Sequence, residues 1–343
     1  MPFNLYPNQE TVPLQSLVNL TNPSMKNRRK FIKLSAAMGA GAFLPLQFCS
    51  PKKESDTLSE AVLSASTGIL DNFGLQLYSV KENMAEDAVA TIKAVAGYGY
   101  TQIEGFDGGK GIFWGMKNTE FKSLTDDLGL SFIASHANTY ENLEKQAEEA
   151  AAIGMKYLIN PWVGPQKSMD DFKRITDDFN KQGEICKQYG IKFAYHNHGY
   201  TFVDLDGQIP HDYLLENTNP DLVDFEMDTY WVHTAGKDPI EYIKKYPNRF
   251  TLGHVKDKSG DLEFSEPNGS TIIGTGIMDF PTILRAGMDN GMKYFIVEQE
   301  NSHTFGANGN IIIEHTTASD IYLSAVLDMF IDIDRDKLDP DHI

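Results

Sequence analysis

Four segments in the second half of the chain have the apolar character of buried strands, and each ends in a histidine or an acidic residue. These residues are His196, Asp228, His254 and Glu298. If the segments are neighbouring parallel strands, their carboxyl ends meet at one mouth and the four side chains converge there. Imidazoles and carboxylates crowded together away from water are unfavourable unless a cation compensates. The pattern therefore predicts one divalent metal ion, and the alternative is a metal-free ring of hydrogen-bonded side chains. Mixed nitrogen and oxygen donors suit Mn²⁺, Co²⁺, Zn²⁺ or Fe²⁺ better than Ca²⁺.

Two of these strand ends carry a second polar residue on the same face. His198 follows His196 by two positions, and alternation along an extended strand puts both rings on one side. Either histidine could therefore be the metal ligand from this strand. Glu226 shares the face of Asp228 by the same rule but lies deeper, where it could support a ligand instead of binding the ion.

The elements that must position these residues alternate between short apolar runs and longer segments of helical periodicity. Eight such units follow Phe73, and a closed barrel of eight parallel strands accounts for them better than an open sheet. The predicted fold is therefore α/β, a single (β/α)₈ TIM barrel over residues 71–343. A dinucleotide-binding fold is disfavoured because no Gly-x-Gly-x-x-Gly turn follows the first strand. The predicted strands are 74–78, 102–106, 131–136, 157–161, 192–197, 223–228, 251–255 and 294–298.

The beginning of the chain has the character of an export signal. Residues 25–49 join a basic stretch containing Arg28 and Arg29 to a short apolar run of small residues, which is typical of a twin-arginine signal peptide. An ordinary Sec signal is the alternative. Because this signal begins naturally at Met25, we expect residues 1–24 to be an upstream extension from a misassigned start.

Export predicts a periplasmic protein or one anchored to a membrane by a lipid. Cys49 stands where a lipoprotein cysteine would stand, ahead of residues 50–70, a polar segment predicted to be a flexible tether. Phe48 is larger than the residue that usually precedes such a cysteine. An unprocessed thiol at Cys49 is therefore the alternative to lipidation.

The composition excludes several other functions. A net charge of -18 disfavours binding to nucleic acid or to anionic lipid surfaces, so membrane contact is expected only through the lipid anchor. The two cysteines, Cys49 and Cys186, lie in unrelated contexts, which excludes a disulfide framework. The expected partner is a small molecule, and the sequence does not determine an oligomeric state.

Around the predicted site, the sequence resembles the sugar phosphate isomerase/epimerase group with xylose-isomerase-like barrels. This superfamily includes inosose dehydratase, tagatose epimerase and endonuclease IV. The resemblance implies a TIM barrel with a divalent metal held from the fifth to eighth strands, at positions matched here by His196, Asp228, His254 and Glu298. It runs from about residue 73 to 327 and rests on the motifs at 195–198, 225–239, 254–257, 274–279 and 297–300.

Three residues depart from the pattern of the group. Epimerases of the superfamily use two metal-bound glutamates, and His196 stands where the fifth-strand glutamate would be. Thr201 replaces a glutamate common after the His-Asn-His motif, and Trp231 replaces a histidine of the tagatose epimerase relatives. These departures disfavour a symmetric epimerisation by two carboxylates. Endonuclease IV is disfavoured by the missing trinuclear ligand set and basic surface.

The chemistry that such a site supports is proton removal next to a carbonyl. A divalent ion that chelates a carbonyl and the adjacent hydroxyl lowers the pKa of the intervening C–H and stabilises the enediolate. The candidate catalytic residues are Glu298, His198 and His136 as bases, with Lys256 orienting hydroxyls. For His136, a structural hydrogen bond at the barrel rim is an equal alternative.

The other polar and aromatic strand-end residues are candidates for substrate binding. They are Gln76, Glu104, Trp162 and Trp231. A tryptophan ring can stack on the apolar face of a sugar, although isolated aromatic residues are core residues about as often.

The resemblance and the export signal together predict a metal-dependent sugar isomerase or epimerase. Because sugar phosphates are mainly cytosolic, a free sugar or keto-sugar is the expected substrate. A lyase acting on 3-keto-glycosides, or a dehydratase, could use the same metal site. The alternative from another class is an exported carbohydrate-binding barrel without catalysis.

Overall fold

A computed structural model describes residues 73–260 and 269–300. Eight parallel strands close a barrel in the order β1-β10-β7-β6-β5-β4-β3-β2, and β8 pairs with β9 in a small antiparallel hairpin. The predicted barrel is confirmed. The strands are β1 Phe73–Gln76, β2 Gln102–Phe106, β3 Ser131–His136, β4 Tyr157–Asn160, β5 Lys192–His196, β6 Val223–Asp228, β7 Phe250–Val255, β8 Asp257–Lys258, β9 Ser270–Thr271 and β10 Tyr294–Val297.

The predicted barrel strands overlap the observed ones: β2, β3, β6 and β7 end at the predicted residue, and the other four end one or two residues earlier than predicted. β1 ends at Gln76 because the Gln76 side chain accepts a hydrogen bond from the Tyr78 N–H at 3.0 Å. That contact turns the chain into a short 3₁₀ helix, Leu77–Val80. β4 ends at Asn160 because Pro161, which follows, has no N–H to donate to a strand ladder.

Helices connect the strands and cover the barrel. The Ser168 N–H and hydroxyl both donate to the Asp171 carboxylate, at 3.0 and 2.8 Å, which starts α4. Asp228 starts α6 as a hydrogen-bond acceptor, because its Oδ1 accepts the Trp231 N–H at 2.9 Å. The helices are α1 Lys81–Gly97, α2 Asn118–Asp127, α3 Leu143–Ala152, α4 Met169–Gln188, α5 Pro210–Asn217, α6 Thr229–Thr234, α7 Pro239–Lys245 and α8 Phe280–Asp289.

The barrel interior is apolar directly beneath the predicted site. Ala134, Ala194 and Leu252 belong to one buried cluster together with Ile133, Tyr157 and Ile159. Each of the first three lies two residues before a histidine on the same strand, and so on the same face. Each of these histidines is therefore the last inward-facing residue of its own strand and has apolar side chains beneath it.

Several predictions fall on residues that the structure does not describe. The upstream extension 1–24, the signal peptide 25–49 with Cys49, the tether 50–70 and residues 301–343 of the predicted barrel domain all lie outside the described residues. Within the described residues, no helix is both long and apolar enough to cross a bilayer.

Candidate active site

The four strand-end residues that were predicted to bind a metal meet at the mouth of the barrel. His196 ends β5, Asp228 ends β6, His254 lies near the end of β7, and Glu298 directly follows β10. One donor atom from each lies within 4.8 Å of the donors from the others, and all four residues are buried. We call this set the four-donor group. Two nitrogens and two carboxylate oxygens at this spacing fit a first-row transition metal.

The closest approaches within the group involve both histidines. His196 Nε2 lies 3.1 Å from His254 Nδ1, and His254 Nδ1 lies 3.1 Å from Glu298 Oε2. His196 Nε2 is also 3.5 Å from Asp228 Oδ2. Burial lowers the pKa of His196, which favours the neutral ring that a metal requires. A cation placed among these atoms would compensate the two carboxylates.

His198 lies beside the four-donor group and not in it. Its ring centroid is 4.9 Å from that of His196, 4.6 Å from Trp162 and 5.3 Å from Trp231. Burial, followed by His196 and Lys256, lowers the pKa of His198 well below its usual range. Among the described residues, its Nδ1 has no hydrogen-bond partner. His198 is therefore a neutral imidazole between two partly exposed tryptophans, which suits contact with a substrate.

A second set of polar residues lies deeper in the barrel, on the other side of the His254 ring. We call Gln76, Glu104, His136 and Glu226 the deeper layer; each is at most 4% exposed. His136 Nε2 is 2.9 Å from Glu226 Oε2 and 3.2 Å from Glu104 Oε1. His136, Glu226, His196 and His254 also have donor atoms within 4.8 Å of one another. His136, predicted as a base or as a structural residue, thus has carboxylate partners inside the barrel.

The two carboxylates of the deeper layer differ in charge. Burial raises the pKa of Glu104, but His136 and His254 outweigh burial and lower that pKa to about 2. Burial and the Glu104 charge raise the pKa of Glu226 well above its usual range. Burial lowers the pKa of His136 to about 3. The deeper layer therefore holds one carboxylate, one carboxylic acid and a neutral imidazole at neutral pH.

Gln76 and Glu104 lie next to each other in the barrel, and Glu104 contacts His254. Both are fully buried, and Gln76 Nε2 donates to Glu104 Oε1 at 2.5 Å. Glu104 Oε1 also lies 2.9 Å from His254 Nε2. Substrate contact stays a prediction for both residues; in the structure β1 and β2 direct these side chains across the barrel toward His254 on β7.

Lys256 places a buried ammonium group against three carboxylates. Its Nζ lies 3.4 Å from Asp228, 3.1 Å from Glu298 and 2.6 Å from Glu300. Burial lowers the pKa of Lys256, but these carboxylates outweigh burial and raise it well above its usual range. In turn, Lys256 and His254 overcome the effect of burial and hold the pKa of Glu298 well below its usual range. Glu298 is therefore an ionised carboxylate, as a base must be.

Glu300 and Asp257 contribute to the site but were not among the predicted site residues. The signal for Glu300 was present, since it follows Glu298 by two positions. Asp257 belongs to the motif at 254–257, but no local pattern indicated its role. Its carboxylate accepts backbone N–H groups of Lys258, Gly274, Gly276 and Met278 at 2.8, 2.8, 2.9 and 3.1 Å. Asp257 thereby fixes the segment between β9 and α8, next to Lys256.

Gly276 in that segment is expected to tolerate no side chain. A Cβ at this position would overlap the Lys258 carbonyl oxygen and the Asp257 carboxylate. We expect Gly276→Ala to lower the free energy of unfolding by about 1 to 3 kcal/mol, the usual cost of overpacking. Urea denaturation measures the change. The control is Gly97→Ala at the end of α1, where a Cβ meets no atom within 4 Å. A Gly276→Ala protein as stable as the control would contradict the tight fit.

A closed barrel of eight parallel strands with a His, Asp, His and Glu donor set at its carboxyl mouth defines the class of the molecule: a TIM barrel with a candidate metal centre. Comparison with known proteins gives the family. The chain belongs to the xylose isomerase-like TIM barrel family, whose model matches residues 92–316. The resemblance expected from the motifs is thereby confirmed.

A solved structure and curated relatives agree with this assignment. A sugar phosphate isomerase/epimerase from Parabacteroides distasonis is 30% identical, with a TM-score of 0.64 over 74% of this chain and 94% of that chain. An inosose dehydratase of Clostridium perfringens is 30% identical over 158 residues, 42% of this chain and 50% of the relative. One of Clostridium beijerinckii is 27% identical over 254 residues, 64% and 83% of the two chains. The chain spans about half the length of the Clostridium perfringens relative. By their names, these relatives are enzymes.

Proposed function

We propose that this protein is a divalent-metal-dependent enzyme that removes a proton next to the carbonyl of a small sugar or keto-sugar. The observation that carries the proposal is the four-donor group, whose donors lie within 4.8 Å of one another at the barrel mouth. The His and carboxylate donors fit Mn²⁺, Co²⁺, Zn²⁺ or Fe²⁺. The ion would supply a Lewis acid for the negative charge that develops on a carbonyl oxygen.

The residues of the chain would move the proton. Glu298, kept ionised by Lys256 at 3.1 Å, takes the proton from carbon. The Lys256 ammonium, 5.2 Å from the Trp231 ring centroid, is placed to orient a substrate hydroxyl next to that ring. His198, neutral and lacking a described partner for Nδ1, is placed to exchange a proton with a neighbouring oxygen.

The first candidate reaction is isomerisation or epimerisation through an enediolate. A second candidate is elimination, by a dehydratase or a lyase of 3-keto-glycosides, and a specific observation favours it. The resemblance to the family places His196 where its epimerases carry a second metal-bound glutamate. The carboxylates of the four-donor group are then Asp228, taken as a ligand, and Glu298, taken as the base. A single base suffices to start an elimination. The relatives named inosose dehydratase support the same reaction class.

We also propose export of this protein. The basis is the twin-arginine pattern at residues 25–49, with anchoring by lipid at Cys49 as one mode of retention; these residues lie outside the described part of the chain. Export would give the enzyme access to free sugars and keto-glycosides more than to sugar phosphates. Mass spectrometry of the protein from bacterial membranes and periplasm tests this: an uncleaved chain confined to the cytosol contradicts it.

The function is tested by metal content and by deuterium exchange on the same samples. Three proteins are compared: the full chain, His254→Ala, and the control His233→Ala, which changes a histidine of α6 outside the four-donor group. Each is analysed for bound metal and incubated in D₂O with keto-inositols, 3-keto-glycosides and ketohexoses. We expect about one ion per chain, lost only in His254→Ala, and deuterium incorporation next to the carbonyl by NMR.

The products distinguish the reactions. A new sugar isomer indicates an isomerase or epimerase, and loss of water or of a glycoside indicates elimination. A protein that binds no metal after reconstitution and exchanges no proton contradicts the proposal, and leaves a carbohydrate-binding barrel as the remaining interpretation.

A further inference from the structure

The orientation of the buried Gln76 amide is fixed by the backbone. The Tyr78 N–H can only donate, and it lies 3.0 Å from Gln76 Oε1. The Gly105 carbonyl can only accept, and it lies 3.3 Å from Gln76 Nε2. A flipped amide would put donor against donor and acceptor against acceptor. Gln76 therefore presents an N–H, and not an oxygen, to the interior of the barrel.

The Gln76 N–H determines which atoms of Glu104 and His254 accept and donate hydrogen bonds. Gln76 Nε2 donates to Glu104 Oε1 at 2.5 Å, so this oxygen is an acceptor. His254 Nε2 lies 2.9 Å from the same oxygen. Two acceptors this close would repel, so His254 Nε2 carries a proton and donates it. The other ring nitrogen, Nδ1, faces His196 Nε2 and Glu298 Oε2, each at 3.1 Å.

We propose that Gln76 and Glu104 are positioning residues that hold the proton of His254 on Nε2 and so reserve Nδ1 for the metal ion. This proposal takes one point from the proposed function, namely that the site binds a metal ion. Two donor sets share His254, and the proposal favours the four-donor group as the metal site. Glu226, from the other set, approaches His254 Nε2 at 3.3 Å, whereas the four-donor group lies on the Nδ1 side. A histidine ligand whose other nitrogen is held by a carboxylate has a fixed ring orientation and a more basic donor atom.

The direct test is NMR of the full chain with ¹⁵N-labelled histidine, loaded with Zn²⁺, which is diamagnetic. Nitrogen chemical shifts and long-range couplings identify the nitrogen of His254 that binds Zn²⁺ and the one that carries a proton. We expect Zn²⁺ on Nδ1 and a proton on Nε2. Coordination through Nε2 overturns the proposal.

Two variants test the contribution of the positioning residues. Gln76→Leu and Glu104→Gln are expected to weaken Zn²⁺ affinity by about 10- to 100-fold, as the loss of a hydrogen bond to a metal-bound histidine does elsewhere. The matched control is Gln182→Leu, which removes a buried amide bonded to Thr139 and remote from His254. Its Zn²⁺ affinity should equal that of the parent. Unchanged affinity in a folded Gln76→Leu protein overturns the proposal.

The design separates this proposal from the proposed function. If a thermal melt shows that a variant does not fold, the proposal is judged by the NMR spectrum of the parent, which shows the nitrogen of His254 that binds Zn²⁺. If the parent binds no Zn²⁺, the proposed function fails, and the protonated nitrogen is read in the metal-free parent. Burial lowers the pKa of His254, but Glu226, Glu298 and Glu104 outweigh burial and raise it well above its usual range. The metal-free ring is therefore read at a pH high enough to leave one proton on it. A neutral ring with its proton on Nε2 then supports the positioning role, and a neutral ring with its proton on Nδ1 overturns it.

Discussion

Replacing Glu298 by glutamine is expected to reduce turnover by about 10²- to 10⁴-fold, the usual contribution of a general base. The amide of glutamine cannot accept a proton from carbon, whereas the Glu298 carboxylate, 3.1 Å from Lys256 Nζ, is held ionised. Because Glu298 is also a candidate metal ligand, turnover and deuterium exchange are measured at saturating metal, with the metal content of each sample determined.

The matched control for this prediction is Glu216→Gln on α5. Glu216 accepts the Tyr246 hydroxyl at 2.8 Å on the exposed side of the molecule, away from the barrel mouth. Its turnover should equal that of the parent. A metal-loaded Glu298→Gln protein that retains parental turnover would exclude Glu298 as the base and shift attention to His198.

Replacing Lys256 by methionine is expected to lower the free energy of unfolding by about 3 to 5 kcal/mol, as the loss of one partner of a buried ion pair does. Methionine keeps most of the side-chain volume but leaves the carboxylates of Asp228, Glu298 and Glu300 without their shared cation. The measurement is urea denaturation after chelation of metal, so that a bound ion does not replace the ammonium group.

The Lys256→Met prediction has a matched control and an expected pH dependence. Lys122→Met removes an exposed pair with Asp126 at 2.8 Å and should cost less than about 1 kcal/mol. The carboxylates raise the pKa of Lys256 in the folded state, so its contribution is complete at neutral pH and is lost only as the pH rises through that raised value. Equal effects of the two substitutions would show that Lys256 does not compensate the buried carboxylates.

The sequence predicted the barrel and the mouth because both depend on local patterns. Eight alternations of strand and helix signal the fold, and the strand ends bring His196, Asp228, His254 and Glu298 together wherever parallel strands close a barrel. The two-residue period left His196 and His198 equivalent. The structure separates them, because β5 ends at His196 and the chain has turned toward Trp162 and Trp231 by the time it reaches His198.

The roles of Gln76 and Glu104 could not be predicted in this way. Glu104 reaches His254 across 150 positions of sequence, between strands that are not neighbours in the barrel. No local spacing encodes such a contact. A polar residue at a strand end is equally compatible with binding substrate, and only the contact with His254 in the folded barrel indicates a supporting role.

The metal donors and the side chains behind them come from separate parts of the described chain, which couples metal binding to closure of the barrel. The donors lie on β5, β6 and β7 and directly after β10, whereas the side chains behind them come from β1 and β2, and β1 pairs with β10 through Leu75 and Val297. An ion that binds only the closed form stabilises that seam by mass action, by about 2.7 kcal/mol at a concentration 100 times its Kd. The ion would therefore stabilise the closed ring of strands as well as take part in the proposed chemistry, and the supply of metal would set the fraction of chains that are folded.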